Sequence, residues 1–248
     1  MNISLTSYQE DLLQSFLHRM ETLGISLSED QLKQFLSFYE ELVETNKVMN
    51  LTAITDFEEV LLKHFVDSCA VNQIPEFAKM NRIIDVGTGA GFPGIPCKIA
   101  FDEKEFVLLD SLNKRILFLE KVVQELGLSK ISLHHGRAED FAKRVDFREQ
   151  FDGCVSRAVA NLSTLSEYCL PFIRVGGYFI AMKGDHVDEE LEAGKKAVEL
   201  LGGKILRVDT SSLPDSEIFR SYVVIQKIKP TPKKFPRKSG LPSKEPLH

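Results

Sequence analysis

The first seventy residues carry apolar positions at the three- and four-residue spacing of amphipathic helices. One stripe consists of Leu12, Leu13, Phe16, Leu17 and Met20, and a second consists of Leu32, Phe35, Leu36, Tyr39, Leu42 and Val43. Ser28 and Gln31 have the spacing of a capping box, which predicts that the second helix begins directly after Ser28. A third helix is predicted to begin near Asp56, after the irregular polar segment 46–54. Residues 7–73 are therefore predicted to be largely helical.

From residue 82 the spacing changes to short apolar runs that are typical of strands. The predicted strands are 82–86, 105–109, 131–135, 153–157, 177–182, 204–208 and 221–228, and helical patterns lie between most of them at 113–126, 161–173 and 187–200. Strands that alternate with helices predict a mostly parallel sheet covered by helices on both faces. The linker 210–220 is too short for a crossover helix, so the last two strands are predicted to pair antiparallel at one end.

The predicted fold class is therefore α/β, with a seven-stranded, mostly parallel, doubly wound Rossmann-like sheet and an N-terminal helical extension. We expect three parts: a helical region over 1–75, a sheet core over 76–229 and a tail over 230–248. The tail holds five prolines within 17 residues. Proline lacks a backbone N–H and disrupts helix interiors, so the tail is predicted to be neither a helix nor a central strand.

The composition is that of a soluble globular protein, with 43% hydrophobic and 27% charged residues. No apolar run approaches the roughly 20 residues of a membrane span. The N-terminus has neither the basic nor the apolar region of a secretory signal. Four well-separated cysteines, without a C-x-x-C pair, predict reduced packing residues in a cytoplasmic protein and neither a disulfide framework nor a metal site; they are Cys69, Cys97, Cys154 and Cys169.

The net charge of −5 conceals an uneven distribution along the chain. Residues 226–248 carry seven basic side chains and one acidic side chain, a net charge of +6, which leaves −11 on the rest. A basic tail on an acidic body favours a polyanionic partner. A solvated tail without a partner is the alternative interpretation.

The segment 82–94 holds the most informative chemistry, because an apolar strand run ends there in Gly87, Gly89 and Gly91. Glycine permits a sharp turn and lets bare backbone approach a ligand. A dinucleotide-binding fingerprint would need a third glycine where Phe92 stands. Asp85, two residues before the first glycine, disfavours a pyrophosphate and favours a cationic, amino-bearing ligand such as S-adenosylmethionine (SAM). An ordinary strand–turn–helix junction and a nucleotide-phosphate site are the alternatives.

Three further polar elements follow predicted strands. Asp110 ends the second strand, where α/β folds bind ribose hydroxyls, although it could instead cap the next helix. The segment 137–139 follows the third strand, where an adenine would lie, although such a segment can also be a surface turn. The segment 156–158 ends the fourth strand. Since the carboxyl ends of parallel strands share one sheet edge, all of these elements are expected at one ligand site.

Together these segments resemble the RsmG (GidB) family of bacterial class I SAM-dependent methyltransferases. The resemblance lies in residues 46–54, 64–68, 85–96, 137–139, 156–160 and 235–242. The glycine loop alone would indicate only a class I methyltransferase, whereas its combination with the N-x-x-x-N-L-T and S-R-A-V-A segments is specific. Ser239 departs mildly from the pattern, because many members have proline there.

The resemblance implies transfer of a methyl group from SAM to N7 of a guanine in 16S ribosomal RNA, in a small-subunit hairpin near the decoding region. It also implies SAM contacts at Gly87, Phe92, Ala138, Glu139 and Arg157. The residue patterns described above add Gly89 and Asp110 to this set.

Arg157 is the candidate catalytic residue, shared between cofactor and RNA, with a structural ion pair as the alternative. His64 and Asp67 lie three residues apart on one predicted helix face. They are expected to hydrogen-bond each other or the loop on the cofactor side, since two ligands do not form a metal site.

Basic side chains of the tail and of the fifth strand are candidates for neutralising RNA phosphates; these are Lys183, Lys233, Lys234, Arg237 and Lys238. Phe235 is expected to stack on a base. Deletion of residues 230–248 is accordingly expected to weaken RNA binding and to leave SAM binding almost unchanged.

The expected partner is 16S ribosomal RNA or the small ribosomal subunit, bound by a cytoplasmic monomer without a metal or a membrane contact. Three other functions stay open at this point. They are a nucleotide-dependent oxidoreductase, a SAM-binding RNA assembly factor, and a methyltransferase that acts on a small molecule or a protein.

Overall fold

The computed structural model describes residues 6–157, 160–184 and 187–247. The α-helices are α1 (Ser7–Thr22), α2 (Glu29–Met49), α3 (Phe57–Val60), α4 (Asp67–Cys69), α5 (Pro75–Ala78), α6 (Gly94–Ala100), α7 (Asn113–Glu125), α8 (Ala138–Phe141), α9 (Leu162–Cys169), α10 (Asp188–Leu200) and α11 (Leu241–Lys244). A π-helix spans Leu61–Val66, and 3-10 helices span Ala70–Gln73 and Leu170–Phe172. The strands are β1 (Arg82–Val86), β2 (Glu105–Asp110), β3 (Ile131–His135), β4 (Phe151–Arg157), β5 (Ile173–Lys183), β6 (Gly203–Ser212) and β7 (Phe219–Lys227).

Within the described residues, seven strands form one sheet in the order β3-β2-β1-β4-β5-β7-β6. The first five strands in this order are parallel, and β7 pairs antiparallel with both β5 and β6. The predicted α/β sheet with a terminal antiparallel pair is thereby confirmed. The parallel strands are joined by helical connections, whereas β6 and β7 are joined by the short linker 213–218.

The sheet is covered on both faces, because neighbouring residues of each central strand enter different hydrophobic clusters. Ile83 packs with the N-terminal helices on one face, whereas Ile84 packs with α9 and the 3-10 helix Leu170–Phe172 on the other. In β2, Leu108 likewise belongs to the cluster of the N-terminal helices, and Leu109 belongs to the cluster on the other face. The N-terminal helices are therefore part of a core that they share with the sheet.

The N-terminal helices begin where their capping residues predict. Ser28 Oγ accepts the N–H of Gln31 at 3.2 Å, and Gln31 Oε1 accepts the N–H of Ser28 at 2.9 Å, which completes the capping box of α2. Gln31 Nε2 also donates to the carbonyl of Ile99 in α6 at 2.8 Å. Asp56 caps α3 through the N–H of Glu59 at 3.0 Å. The cap of α2 thus also joins this helix to the helix that follows the glycine loop.

The tail packs against the body of the molecule, so the interpretation as a solvated tail is wrong for its described residues. Phe235 is buried, and the guanidinium of Arg148 donates to the carbonyls of Thr231 at 2.7 Å and Phe235 at 2.9 Å. The expectation that the tail contains no helix is also wrong, since α11 forms one turn. Pro242 lies in its first turn, where the missing N–H needs no partner.

Candidate functional site

A cleft of about 490 Å³ opens where the carboxyl ends of β1, β2 and β4 meet. The structure brings all seven residues predicted for the cofactor site to its walls: Gly87, Gly89, Phe92, Asp110, Ala138, Glu139 and Arg157. The cleft is also lined by Leu51, Thr52, His64, Arg115 and Tyr168, among others. Residues from the N-terminal region and from the sheet therefore share one concave site.

The glycine loop forms one wall with bare backbone. Gly87 and Gly89 have φ angles of +75° and +63°, which side chains with a Cβ rarely adopt. The N–H of Gly87 donates to the carbonyl of Leu109 at 2.8 Å, and the N–H of Gly89 donates to Asp110 Oδ2 at 2.9 Å. These bonds fix the loop that follows β1 against the end of β2.

Asp85 lies beneath the loop, and it is not among the described residues that line the cleft. Its Oδ2 accepts the hydroxyl of Thr88 at 2.7 Å and the N–H of Gly94 at 2.9 Å. Complete burial raises the pKa of Asp85 to about 7, although both hydrogen bonds act in the opposite direction. The expectation that this carboxylate faces a cationic ligand is wrong. Asp85 is fully buried, and it accepts hydrogen bonds from both ends of the glycine loop instead.

Asp110 reaches the predicted cleft, but its side chain does not cap α7. It lies in the cleft wall, and its Oδ2 also receives Arg115 Nη1 at 3.2 Å. Its Oδ1 accepts the N–H of Leu112, the residue directly before α7, at 2.9 Å. Arg115 was missed by sequence reasoning, although its place one turn into the helix that follows Asp110 could have indicated this ion pair.

The opposite wall is formed by α8 and α9. Ala138 and Glu139 begin α8, and the side chain of Glu139 is buried. Glu139 Oε1 accepts the N–H of Gly240 in the tail at 2.8 Å. Tyr168 of α9 also lines this side of the cleft, and no motif in the sequence singles it out. The tail therefore contacts a residue of the predicted cofactor site directly.

Arg157 ends β4 and is held by groups from the N-terminal region. Its Nη1 donates to Asp67 Oδ2 at 2.9 Å and to the carbonyl of Lys63 at 3.2 Å. The guanidinium lies over the ring of Phe92, 5.1 Å from its centroid. Asp67 also receives Arg220 Nε on Oδ1 at 2.8 Å. Arg157 thus forms the structural ion pair given as the alternative and lines the cleft as well.

His64 stacks on Phe92, with ring centroids 4.3 Å apart and an interplanar angle of 22°. Its Nδ1 faces Arg157 Nη2 at 3.3 Å, and its Nε2 faces Thr52 Oγ1 at 2.9 Å. The carbonyl of Lys63 lies 3.2 Å from the same Nδ1, so this nitrogen faces one donor and one acceptor. Burial, followed by the positive charge of Arg157, lowers the pKa of His64 to about 4, so the ring is neutral at pH 7.

The expected hydrogen bond between His64 and Asp67 is not among the contacts of the described residues. Both side chains instead bind Arg157, which lies between them. The described contacts also contain no hydrogen bond from either side chain to the glycine loop, although the ring of His64 stacks on Phe92. Sequence spacing did not reveal their shared partner, because Arg157 lies about 90 positions later in the chain.

Asn46 shapes the wall that Leu51 and Thr52 contribute. Its Oδ1 accepts the N–H of Leu51 at 2.6 Å and the N–H of Thr52 at 2.9 Å, and its Nδ2 donates to the carbonyl of Thr52 at 2.9 Å. Asn50 ends α2 in the left-handed conformation, which asparagine tolerates well. The polar segment after α2 is therefore an ordered turn that is fixed from within.

Two of the predicted RNA contacts are engaged inside the protein instead. Lys183 Nζ donates to the carbonyl of Ala160 at 2.5 Å and to Glu190 Oε1 at 2.6 Å, and its side chain is 10% exposed. Arg237 forms a bidentate pair with the fully buried carboxylate of Glu167, at 3.0 and 2.7 Å. These contacts argue against both predictions, because the buried carboxylate of Glu167 needs Arg237 as its charged partner, and Lys183 is held by a carbonyl and a carboxylate of the protein.

Phe235 is buried with the second hydrophobic cluster, which contradicts its predicted stacking on a base. Lys233, Lys234 and Lys238 are exposed, and their role in RNA binding stays a prediction. Ala158 and Val159, from the segment that carries part of the family resemblance, lie outside the described residues.

Among residues 6–157, 160–184 and 187–247, no group of three or more His, Cys, Asp or Glu side chains is arranged to hold a metal ion. In the same part of the chain, no helix combines the length and apolar character needed to cross a membrane.

Comparison with known proteins gives relatives that match nearly the whole of this chain. The family described as rRNA small subunit methyltransferase G (GidB) matches residues 31–219. The ribosomal RNA small subunit methyltransferase G of Clostridium tetani is 55% identical over 91% of this chain and 94% of its own length. The proteins of the same name from Oceanobacillus iheyensis and Bacillus licheniformis are each 50% identical, over 94% and 95% of this chain and 98% of their own lengths.

Solved structures share the fold at low sequence identity. The O-methyltransferase TomG from Streptomyces achromogenes, described in complex with SAM, is 13% identical with a TM-score of 0.53, over 91% of this chain and 100% of that chain. An O-methyltransferase from Bacillus cereus, described in complex with SAH, is 15% identical with a TM-score of 0.52, over 78% of this chain and 91% of that chain. These similarities show the methyltransferase fold of the sheet and its helices.

Proposed function

This chain belongs to the rRNA small subunit methyltransferase G family, and we propose on that premise that it methylates N7 of a guanine in 16S ribosomal RNA with SAM as donor. The target guanine lies in a small-subunit hairpin near the decoding region. The observation that carries the proposal is the match to relatives at about half identity over nearly the whole chain. A match of this extent includes both the cleft and the N-terminal region.

The residues of the cleft fit SAM chemically. The backbone of Gly87 and Gly89 leaves room for a ligand, and Asp110 stands where ribose hydroxyls are bound in α/β folds. Ala138 and Glu139, which begin α8 after β3, would face the adenine. The cleft volume of about 490 Å³ falls within the range of small-molecule sites, roughly 300–1,000 Å³. When bound there, SAM would supply a methyl group on a positively charged sulfur.

The acceptor atom places few demands on the side chains, because guanine N7 has an exposed lone pair and no proton. No general base is therefore needed. His64 fits this requirement, since both of its ring nitrogens have partners and burial makes it a weak base with a pKa of about 4. The carboxylates of Asp110 and Glu139 accept backbone N–H groups. These residues would hold and orient the reactants, an effect that can reach about 7–11 kcal/mol.

Arg157 is the residue that we assign to the boundary between cofactor and RNA. It lies in the cleft wall with its guanidinium over Phe92, and its position is fixed by Asp67 and by the carbonyl of Lys63. A cation fixed in this way can orient an electron-rich base or a phosphate without moving during the reaction.

We further propose that the enzyme acts in the cytoplasm as a monomer, on 16S RNA or on the small subunit, and without a metal. Lys233, Lys234 and Lys238 would neutralise RNA phosphates, since all three side chains are exposed. Leu51 and Thr52, which follow the N-terminal helix α2, would form the part of the cleft wall that faces the guanine.

Transfer of labelled methyl groups tests the proposal. The purified protein and SAM would be incubated with small subunits or with deproteinised 16S RNA, both from cells that lack this gene, and transfer RNA would serve as control. We expect the label as 7-methylguanine in one hairpin of 16S RNA. SAM binding without label in any RNA would contradict the proposal and favour an assembly factor or a different methyl acceptor.

A further inference from the structure

The C-terminal tail contacts α8 and α9, the two helices that form the cleft wall proposed to face the adenine of SAM. We call residues 237–242 the tail latch. On α8, the N–H of Gly240 donates to Glu139 Oε1 at 2.8 Å, and Ser239 Oγ donates to Asp140 Oδ1 at 2.8 Å. The latch therefore meets α8 at Glu139, which is itself a residue of the cleft wall.

On α9 the latch is anchored by an ion pair. The N–H of Arg237 donates to Glu167 Oε1 at 2.7 Å, and its guanidinium donates to both carboxylate oxygens, Nε to Oε1 and Nη2 to Oε2. Glu167 is fully buried, whereas the next residue, Tyr168, lines the cleft. Thr164 Oγ1 also donates to the carbonyl of Pro242 at 3.0 Å. The backbone that carries Tyr168 is thus fixed from the tail.

We propose that the tail latch is part of the SAM-binding site, with Arg237 as a positioning residue that acts through Glu167 and with the N–H of Gly240 acting through Glu139. This inference rests on the proposed function, since it concerns the cofactor of the same site. It also reverses the expectation that removal of the tail would leave SAM binding almost unchanged.

The physical reason lies in the short length of α8 and the burial of its acid. Four residues make too short a helix to be stable without tertiary contacts. The buried carboxylate of Glu139 needs a donor, and without the latch it would turn towards solvent or into the cleft. Loss of Arg237 would leave the charge of Glu167 buried and unpaired, so the start and the end of α9 would shift. Both changes would move the wall against which a cofactor packs.

The test compares SAM affinity of full-length variants by isothermal titration calorimetry. We expect Arg237→Ala to weaken SAM binding by about tenfold, within the range typical of coupling between separate groups, and Arg237→Lys to recover part of the loss. The KM for SAM should rise in parallel, whereas kcat at saturating SAM should stay close to the original value. RNA affinity measured without SAM should change less than SAM affinity.

Two control variants separate positioning from general destabilisation. Arg207→Ala breaks another bidentate ion pair, that of Arg207 with Glu76 on β6 and α5, away from the described cleft wall. Lys244→Ala removes an exposed positive charge from the same tail. We expect both controls to bind SAM within twofold of the original protein, even where thermal unfolding shows that Arg207→Ala is less stable.

A chain that ends at Pro236 provides a second, independent variant, because it keeps the buried Phe235 and loses every latch contact. Its SAM affinity should fall at least as far as that of Arg237→Ala. Unchanged SAM affinity in both variants, or an equal loss in Arg207→Ala, would overturn the inference. Failure of the original protein to bind SAM would instead overturn the proposed function, so the two failures are distinguishable.

Discussion

Arg157 joins the end of β4 to the π-helix and α4 through Lys63, His64 and Asp67. We predict that Arg157→Ala lowers kcat/KM for 16S RNA by about 100-fold, because loss of this cation misplaces groups on both sides of the cleft. The fold should survive, since Asp67 keeps its second partner, Arg220. Methyl transfer and thermal unfolding would be measured on the same preparation.

Arg220→Ala is the matched control, because it removes the other cation from Asp67 and does not touch the described cleft wall. A comparable loss of kcat/KM in Arg220→Ala would indicate that the loss in Arg157→Ala comes from the broken ion pair with Asp67. It would then not come from the position of Arg157 in the cleft wall. Activity of Arg157→Ala close to that of the original protein would contradict the assignment of Arg157.

Asp85 and His64 give opposite pH dependences of stability. With a native pKa of about 7 against 3.8, Asp85 holds a proton that the unfolded chain has lost, so its contribution to stability falls from about pH 4 to about pH 7. With a native pKa of about 4 against 6.5, His64 lacks a proton that the unfolded chain binds. Its contribution therefore rises from about pH 4 to about pH 6.5.

We predict that Asp85→Asn makes the free energy of unfolding rise more steeply with pH between about pH 4 and pH 7. The variant loses the contribution of Asp85, which falls with pH, and keeps the contribution of His64, which rises with pH. The amide oxygen can still accept from Thr88 and Gly94. Urea unfolding at a series of pH values measures the slope. His64→Gln should change the slope in the opposite direction, and parallel curves for all three proteins would refute the prediction.

At the scale of one element, the side chain of Asn46 makes three hydrogen bonds within the turn after α2. We predict that Asn46→Ala lowers kcat/KM by about tenfold, because it removes three hydrogen bonds, each contributing about 1 kcal/mol, from the wall formed by Leu51 and Thr52. Asn46→Asp keeps an oxygen that accepts both N–H groups and should retain more activity. Equal losses in the two variants would mean that the geometry of the turn does not depend on Oδ1.

Elements could be predicted from the sequence where the signal is local. Ser28 and Asp56 cap the helices that their spacing indicates, and the seven apolar runs of the described residues became the seven strands. Asp85 was misinterpreted because its environment depends on the loop folding back, which brings Thr88 and Gly94 onto one carboxylate oxygen. Spacing gives the position of a residue in a strand, but not what later covers it.

At the scale of the whole molecule, the tail shows what composition cannot predict. Its positive charge indicated a polyanionic partner, yet Arg237 pairs with Glu167, 70 positions earlier in the chain. Lys183 is engaged in the same manner by Ala160 and Glu190. Charge counts do not distinguish a cation that is free for RNA from one that a buried acid or carbonyl requires.

We predict that the combined change of Lys233, Lys234 and Lys238 to alanine weakens RNA binding and makes its salt dependence shallower. Each phosphate contact contributes about 0.7 to the logarithmic slope for single strands, so three contacts would reduce the slope by about 2. SAM affinity should stay unchanged, because the exposed side chain of Lys238 makes none of the latch contacts described above. Filter binding at several salt concentrations measures the effect, with the exposed pair Lys195 and Lys196 of α10 changed to alanine as control. An unaltered slope would exclude these lysines from the interface.

The packing of the tail on α8 and α9 has a consequence for biosynthesis. Every strand of the sheet leaves the ribosome before residues 237–247, whose contacts with Glu139, Ser163 and Glu167 complete that side of the cleft. A growing chain can therefore assemble its sheet while this wall still lacks its last contacts. Termination directly before residue 237 would release a protein with an intact sheet and an unfinished wall.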